Sequence, residues 1–138
     1  MSNPNTLRNI FDSSSVSGSP DGNSGAAIFA QTSELYLREA TFKNHRDFMT
    51  IQIDRGTKIG ITNVKLYDNW APKEGTGVIS CQSCEYLDLN NVEAYNNHML
   101  YGGVLSLGNI YQDVNIINSK FYNNKATISG GVIIGSAF

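Results

Sequence analysis

The feature that most constrains the fold is a nine-residue block that recurs along the chain. It reads ITNVKLYDN from residue 61, LNNVEAYNN from residue 89 and IINSKFYNN from residue 116. Weaker copies begin at Leu37 and Leu7, so successive copies start 30, 24, 28 and 27 residues apart. A period in the high twenties is typical of solenoids, in which each repeat buries its apolar face only against its neighbours.

A second block, marked by glycine, follows each strong copy of the first. It reads GTGVI from residue 75, GGVL from residue 102 and GGVI from residue 130, with an early echo, GAAI, from residue 25. In the copy that begins at Leu37, the corresponding segment is FMTIQI, which is strand-like but lacks glycine. Short β-branched runs bounded by Gly and Asn predict two short strands per repeat and few or no helices.

Strands this short cannot bury an inner face alone, but equivalent strands stacked about 4.8 Å apart can. The sequence therefore predicts an all-β, right-handed parallel β-helix of about five coils. The repeats occupy residues 35–138, with coils that start near residues 37, 61, 89 and 116, and residues 1–34 are predicted to be irregular with a weak first coil. Two apolar columns should point inward. They are Leu37, Ile61, Leu89 and Ile116, and Phe42, Leu66, Ala94 and Phe121.

Asparagine recurs at two further positions of the repeat, with Glu39 as the exception in the first column and His45 in the second. The columns are Asn9, Asn63, Asn91 and Asn118, and Asn69, Asn97 and Asn124. A side-chain amide can donate to one neighbouring copy and accept from the other, as in stacked amide ladders. We predict a structural role for both columns; the alternative is a row of ligand-binding amides.

Tyrosine occupies one position in three successive copies, at Tyr67, Tyr95 and Tyr122. Because the preceding residue of each copy is predicted to point inward, strand alternation places these rings near the outer surface. Aromatic stacking from coil to coil is the predicted role. The alternative is a binding surface for sugars or for a partner strand.

The two cysteines lie in the segment Cys81-Gln82-Ser83-Cys84. We predict either two unreactive thiols at a corner or a local structural disulfide. A zinc site needs about four ligands, and there is no second cysteine pair to complete one. Redox catalysis of the thioredoxin type requires a helix N-terminus beside the first cysteine. No metal or cofactor is therefore predicted.

The combination of FYNN from residue 121 with GGVI from residue 130 resembles the Phe-x-x-Asn and Gly-Gly-Ala-Ile repeats of polymorphic outer-membrane proteins and related surface proteins of bacteria and protists. Residues 35–138 are also similar to the wider pectin-lyase-like β-helix superfamily. In the aromatic position only Phe121 fits fully, whereas Leu66 and Ala94 depart from the pattern. The resemblance implies a long extracellular or cell-surface protein that is adhesin-like or shell-forming.

The same superfamily contains polysaccharide lyases and hydrolases, which require carboxylates clustered on one face. The candidate carboxylates fall at different phases of the repeat, so no catalytic activity is predicted. If the protein were an enzyme, the polar stretch from Asp47 to Arg55 would be the expected site. The candidate carboxylates along the whole chain are those of Asp47, Asp54, Asp68, Asp88 and Asp113.

Composition narrows the possible partners. The net charge is -2 and no basic patch stands out, so nucleic acid is not a predicted partner. No run approaches the roughly 20 apolar residues of a membrane helix, so membrane insertion is not predicted. Met1 to Ser19 lack the apolar centre of a signal peptide, and the extracellular expectation comes from the resemblance alone.

The segment Val132 to Phe138 is apolar and no polar cap follows it. Open solenoid ends expose strand edges that invite pairing. We therefore expect a fragment of a longer solenoid, or a last coil that docks on a partner. The predicted function is a non-catalytic structural or adhesive β-helix module of a longer cell-surface or filament-forming protein, with protein partners, through neighbouring coils or self-association. Carbohydrate binding is the first alternative, and a polysaccharide lyase or hydrolase is the second.

Overall fold

The computed structural model describes residues 9–12, 26–31, 34–46, 49–109 and 113–135. Within these ranges the chain forms strands and no helix, and accordingly no helix there is long and apolar enough to cross a membrane. The strands are β1 (Asn9–Asp12), β2 (Ile28–Ala30), β3 (Glu34–Lys43), β4 (Ile51–Asp54), β5 (Lys58–Tyr67), β6 (Trp70–Thr76), β7 (Ile79–Gln82), β8 (Tyr86–Tyr95), β9 (His98–Tyr101), β10 (Leu105–Gly108), β11 (Asp113–Ile117), β12 (Lys120–Tyr122), β13 (Lys125–Ser129) and β14 (Ile133–Gly135).

These strands form three parallel sheets that run the length of a solenoid. Sheet 1 has the order β1-β3-β5-β8-β11, and β12 also pairs with β8. Sheet 2 has the order β2-β4-β7-β10-β14, and sheet 3 has the order β6-β9-β13. Every neighbouring pair is parallel and joins one repeat to the next. The predicted all-β parallel solenoid is confirmed.

The number of turns is about four, slightly fewer than the predicted five coils. Five strands stack in sheet 2, from Ile28 to Ile133. Five stacked strands are separated by four intervals, and each interval is one turn of the chain. The prediction counted copies of the repeat, including the faint first one, rather than the turns between them.

The two predicted apolar columns are confirmed by the strand register. Leu37 pairs with Ile61, Ile61 with Leu89, and Leu89 with Ile116. In the second column, Phe42, Leu66 and Ala94 are completely buried. A third column comes from sheet 2, where Ile51, Ile79 and Leu105 are also completely buried. Burial of these columns is the main source of stability, because each large apolar side chain contributes roughly 1.5–3 kcal/mol when fully buried.

The predicted place of Asn9 in the first asparagine column is wrong. Asn9 pairs with Ala40 and not with Glu39, so β1 is shifted by one residue from the predicted alignment. The observed register brings Phe11 beside Phe42. The faint first copy has one residue fewer between its leucine and its phenylalanine than the copy at Leu37, so aligning the two copies at the leucines leaves the phenylalanines out of register.

Sheet 3 was not predicted, since the repeat was read as two strands rather than three. Its strands follow the corner that contains the second asparagine column. In β6 the sequence Trp70-Ala71-Pro72-Lys73-Glu74 has little strand character, and the register of the sheet shifts between Ala71 and Thr76. Proline and a run of polar residues conceal a strand from pattern analysis.

Several predictions lie outside the described residues. They concern the faint copy at Leu7, the early glycine echo at Gly25, Asp47, and the last three residues of the apolar segment that ends at Phe138.

Candidate functional site

The second asparagine column forms a hydrogen-bonded ladder inside the solenoid. Asn69 Nδ2 donates to Asn97 Oδ1 and Asn97 Nδ2 donates to Asn124 Oδ1, both at 2.9 Å. The same amides donate to the carbonyl oxygens of the preceding turn, as Asn97 Nδ2 does to Leu66 O at 3.0 Å. Asn69 and Asn97 are almost completely buried. Their amides are thus committed to joining the turns and are not available to a ligand.

His45 ends this ladder in place of asparagine. Its backbone N–H donates to Asn69 Oδ1 at 3.0 Å, as the backbone N–H groups of Asn69 and Asn97 donate to the next amide oxygen. The backbone contact does not depend on the side chain, which explains why the ladder tolerates histidine here.

The other asparagine column lies on the outer surface, where sheet 1 bends. Glu39, Asn63, Asn91 and Asn118 all have positive φ angles, between 50° and 56°. Asparagine tolerates this left-handed conformation better than most residues, which accounts for its recurrence here. Asn91 Nδ2 donates to Asn63 Oδ1 at 2.7 Å, and Asn63 Nδ2 donates to Glu39 Oε1 at 2.6 Å.

A groove of about 440 Å³ follows this bend along the solenoid axis. Its apolar floor consists of Ala40, Val64 and Val92, which are buried. The asparagine column and Glu39 form one wall, and the residues two positions further along each strand form the other. That second wall is Thr41, Lys65, Glu93 and Lys120.

The groove combines amide groups with charges of alternating sign. Lys65, Glu93 and Lys120 are paired across successive strands. Each turn therefore presents at least one hydrogen-bonding side chain from either wall, at a spacing of about 4.8 Å. Such an arrangement suits an extended polar ligand that runs along the axis. The asparagines of this site were predicted from the repeat, whereas Lys65, Glu93 and Lys120 were not. Their fixed two-residue offset from the asparagines is the signal that could have indicated them.

The tyrosine column stacks on the outer surface beside the groove. The ring centroids of Tyr67 and Tyr95 are 4.9 Å apart and those of Tyr95 and Tyr122 are 5.0 Å apart, with the rings nearly parallel. Each inner ring face is therefore covered by a neighbouring tyrosine. Only the edges, the hydroxyls and the terminal faces are available to a ligand such as a sugar ring.

The tyrosine hydroxyls lie close to the acidic part of the groove. Tyr122 Oη is 3.5 Å from Glu93 Oε2, at the limit of a hydrogen bond. Burial, followed by the nearby Tyr67 and Tyr122 hydroxyls, raises the pKa of Tyr95 above its usual value. The phenol of Tyr95 is consequently a neutral donor at physiological pH.

Cys81 and Cys84 form a disulfide at the corner between β7 and β8. Both residues are completely buried and belong to the apolar core. Ser83, inside the small loop that the bond closes, has a positive φ of 58°. The disulfide contributes to the corner as a structural element, since neither sulfur is exposed to a substrate.

The acidic residues that an enzyme would need are dispersed. Asp88 and Asp113 lie on sheet 1, and Asp88 Oδ1 accepts a hydrogen bond from Asn115 Nδ2 at 2.9 Å. Asp54 ends β4 in sheet 2, while Asp68 lies at the corner before β6. Within the described part of the chain, no three His, Cys, Asp or Glu side chains are grouped as metal ligands would be.

The chain matches no protein-family model, and no curated protein or solved structure is significantly similar to it. The parallel solenoid implied by the resemblance to β-helix repeat proteins is present. The narrower family identity stays a prediction.

Proposed function

We propose that the protein is a non-catalytic structural or adhesive solenoid that stacks on further solenoid coils through the end face formed by β11–β14. We further propose, from the sequence resemblance, that it belongs to a longer cell-surface or filament-forming protein. The observation that carries the stacking proposal is the exposure of core positions at that end face.

The exposure is clearest in the apolar column of sheet 2. Ile51, Ile79 and Leu105 are completely buried, whereas Ile133 at the equivalent position is 43% exposed. The same difference holds in sheet 1, where Leu89 is completely buried and its partner Ile116 is only partly buried. Each of these side chains would be covered by one more coil.

The backbone supports the same proposal. Among the strands that the structure describes, β11, β12, β13 and β14 pair on one side only, whereas β8 and β10 pair on both. Strand edges with unpaired N–H and C=O groups are templates for the addition of another strand. The occupant that would satisfy both the backbone and the apolar columns is a parallel coil of the same shape.

The test is self-association of the chain, measured by sedimentation velocity over a wide range of concentration. Ile116→Glu places a charge within the end face, while Ile117→Glu makes the same change one residue away, where the side chain is 53% exposed on the outside of the sheet. We expect association of the original chain and of Ile117→Glu, and an association at least about tenfold weaker for Ile116→Glu. A chain that stays monomeric throughout, or two variants that associate equally well, would contradict the proposal. Circular dichroism checks that each variant is folded.

The groove along the bend of sheet 1 supports a second candidate, carbohydrate binding. Its amides and charged side chains can donate to and accept from hydroxyl groups, and concave sites of this size are typical of ligand binding. The stacked tyrosines would contribute hydroxyl edges rather than ring faces. The polysaccharide lyase or hydrolase alternative has no comparable observation among the residues that the structure describes.

A glycan array tests the second candidate, with two matched variants. Asn91→Gly removes an amide from the groove, and Asn96→Gly changes an exposed asparagine with the same φ of 56° that does not line it. Glycine accepts positive φ, so neither change strains the backbone. Carbohydrate binding predicts a glycan signal that Asn91→Gly weakens and Asn96→Gly retains. Equal signals from the two variants would exclude the groove as the site.

A further inference from the structure

A row of basic and aromatic side chains lies on the outer face of sheet 3. Arg46 bridges Trp70, Trp70 pairs with His98, and His98 pairs with Lys125, so the four residues occupy one position in four successive turns. The next residues in β6 and β9, Ala71 and Met99, are almost completely buried. Strand alternation therefore directs the row outward.

The charged side chains of the row are all basic. The Arg46 guanidinium lies 5.9 Å from the centroid of the Trp70 ring, in cation–π contact. His98 and Lys125 are paired across adjacent strands, and partial burial of His98, followed by the charge of Lys125, lowers the pKa of the imidazole. None of the four residues is acidic. The groove on sheet 1 differs, because Glu93 lies there between two lysines.

Trp70 is 43% exposed although tryptophan is a large and mainly apolar side chain. Exposed tryptophan beside arginine is the composition that dominates the binding energy of protein–protein interfaces. β9 is paired on both sides, by β6 and β13, so a partner would contact this face through side chains and not by adding a strand.

We propose that the row of Arg46, Trp70, His98 and Lys125 binds an extended acidic segment of a partner protein. Arg46 and Lys125 are three coil steps apart, or roughly 14 Å at a spacing of about 4.8 Å per step. An extended peptide advances about 3.4 Å per residue, so carboxylates four residues apart match the two ends of the row. The indole of Trp70 then packs against the segment between them.

The dimensions of the row favour a peptide over other polyanions. It is one side chain wide, whereas a nucleic acid duplex spreads its phosphates over two strands. The row is on the side of the solenoid, so this binding is independent of the proposed stacking at the end face.

The chain contains a single tryptophan, so its fluorescence reports directly on the row. The probe is a ten-residue peptide of alternating glutamate and serine, and the control peptide has glutamine in place of glutamate. We expect the acidic peptide to change Trp70 emission in a saturable manner that weakens with added salt, and the control peptide to have no such effect. Equal responses to both peptides would overturn the proposal.

Two double variants with the same change in net charge locate the site. Arg46→Gln with Lys125→Gln removes both ends of the row, and Arg38→Gln with Lys58→Gln removes two exposed basic side chains of sheet 1 that lie outside the groove. We expect affinity for the acidic peptide to fall about tenfold in the first variant and to change less than about twofold in the second. Equal losses would show that only net charge matters, and tighter binding of a polyuronate or of single-stranded DNA than of the peptide would show that the segment is not the occupant.

Discussion

At the residue scale, Thr50 is the clearest departure from the repeat. Thr50 is completely buried, and its Oγ1 has no hydrogen-bond partner among the residues that the structure describes. Its N–H donates to Val78 O, and the equivalent residues of the following turns are Val78, Val104 and Val132. A buried hydroxyl without a partner loses its hydrogen bonds to water and gains nothing in return.

Thr50→Val should therefore stabilise the protein, by about 1 kcal/mol. Valine has nearly the same shape, so packing is retained while the orphan hydroxyl is removed. Urea unfolding measures the change, and Thr62→Val on the outer face of β5 is the control, expected within about 0.5 kcal/mol of the original chain. A destabilised Thr50→Val variant would mean that the hydroxyl has a partner in solution.

Interrupting the second asparagine column should lower the free energy of unfolding by a large amount. Asn97→Ala removes the acceptor of two hydrogen bonds from Asn69 and the donor to Leu66 O, all in the buried interior. We expect a loss of about 3 kcal/mol or more, because several buried polar groups lose their partner together. Asn90→Ala, at a residue outside the core, is the matched control and should be almost neutral in the same urea titration. Similar losses for the two variants would contradict the ladder's structural role.

His98 predicts a pH dependence of stability. Its folded pKa is below the usual value of 6.5, so the folded state binds the proton less well than the unfolded state. The stabilising contribution is present above pH 6.5 and is lost as the pH falls through the folded pKa. His98→Gln should flatten the decrease in melting temperature between pH 7 and pH 5. Thr127, whose Oγ1 lies 2.9 Å from His98 Nε2, is kept in the variant. An unaltered pH profile would contradict this assignment.

At the scale of the element, the disulfide corner between β7 and β8 depends on a very short loop. Cys81 and Cys84 are three positions apart, and the chain-entropy relation for so small a loop gives a stabilisation of about 2 kcal/mol. We expect a reductant to lower the unfolding free energy by this amount and the Cys81→Ala/Cys84→Ala variant to be insensitive to it. An unchanged unfolding curve for the original chain in reductant would show that the disulfide does not contribute.

The elements also show what sequence patterns can and cannot predict. The inward columns of β5 and β8 were predictable because alternation of apolar residues directly reflects burial. The strand β6 was not predictable, because Pro72 and its charged neighbours show no alternation of apolar and polar residues. The segment forms a strand through its pairing with β9. The groove was not predicted for a related reason: its walls come from four successive copies of the repeat, and their proximity depends on the positive φ at Asn63 and Asn91.

At the scale of the whole molecule, stability should be distributed along the axis rather than uniform. Every pairing joins adjacent turns, so a turn is stabilised mainly by the turns above and below it. β5 and β8 have neighbours on both sides, whereas β13 and β14 have them on one side. Opening from the end face then costs less free energy than opening in the middle.

Hydrogen exchange followed by mass spectrometry can test this gradient and the stacking proposal together. At low protein concentration, we expect amides of β5 and β8 to exchange most slowly and those of β13 and β14 much faster. At high concentration, coil stacking should slow exchange selectively in β11–β14, because a new coil would satisfy their free edge, while β4 stays unchanged as an internal reference. Equal protection of all turns would contradict the gradient, and slowing spread evenly over the chain would place the association elsewhere than at the end face.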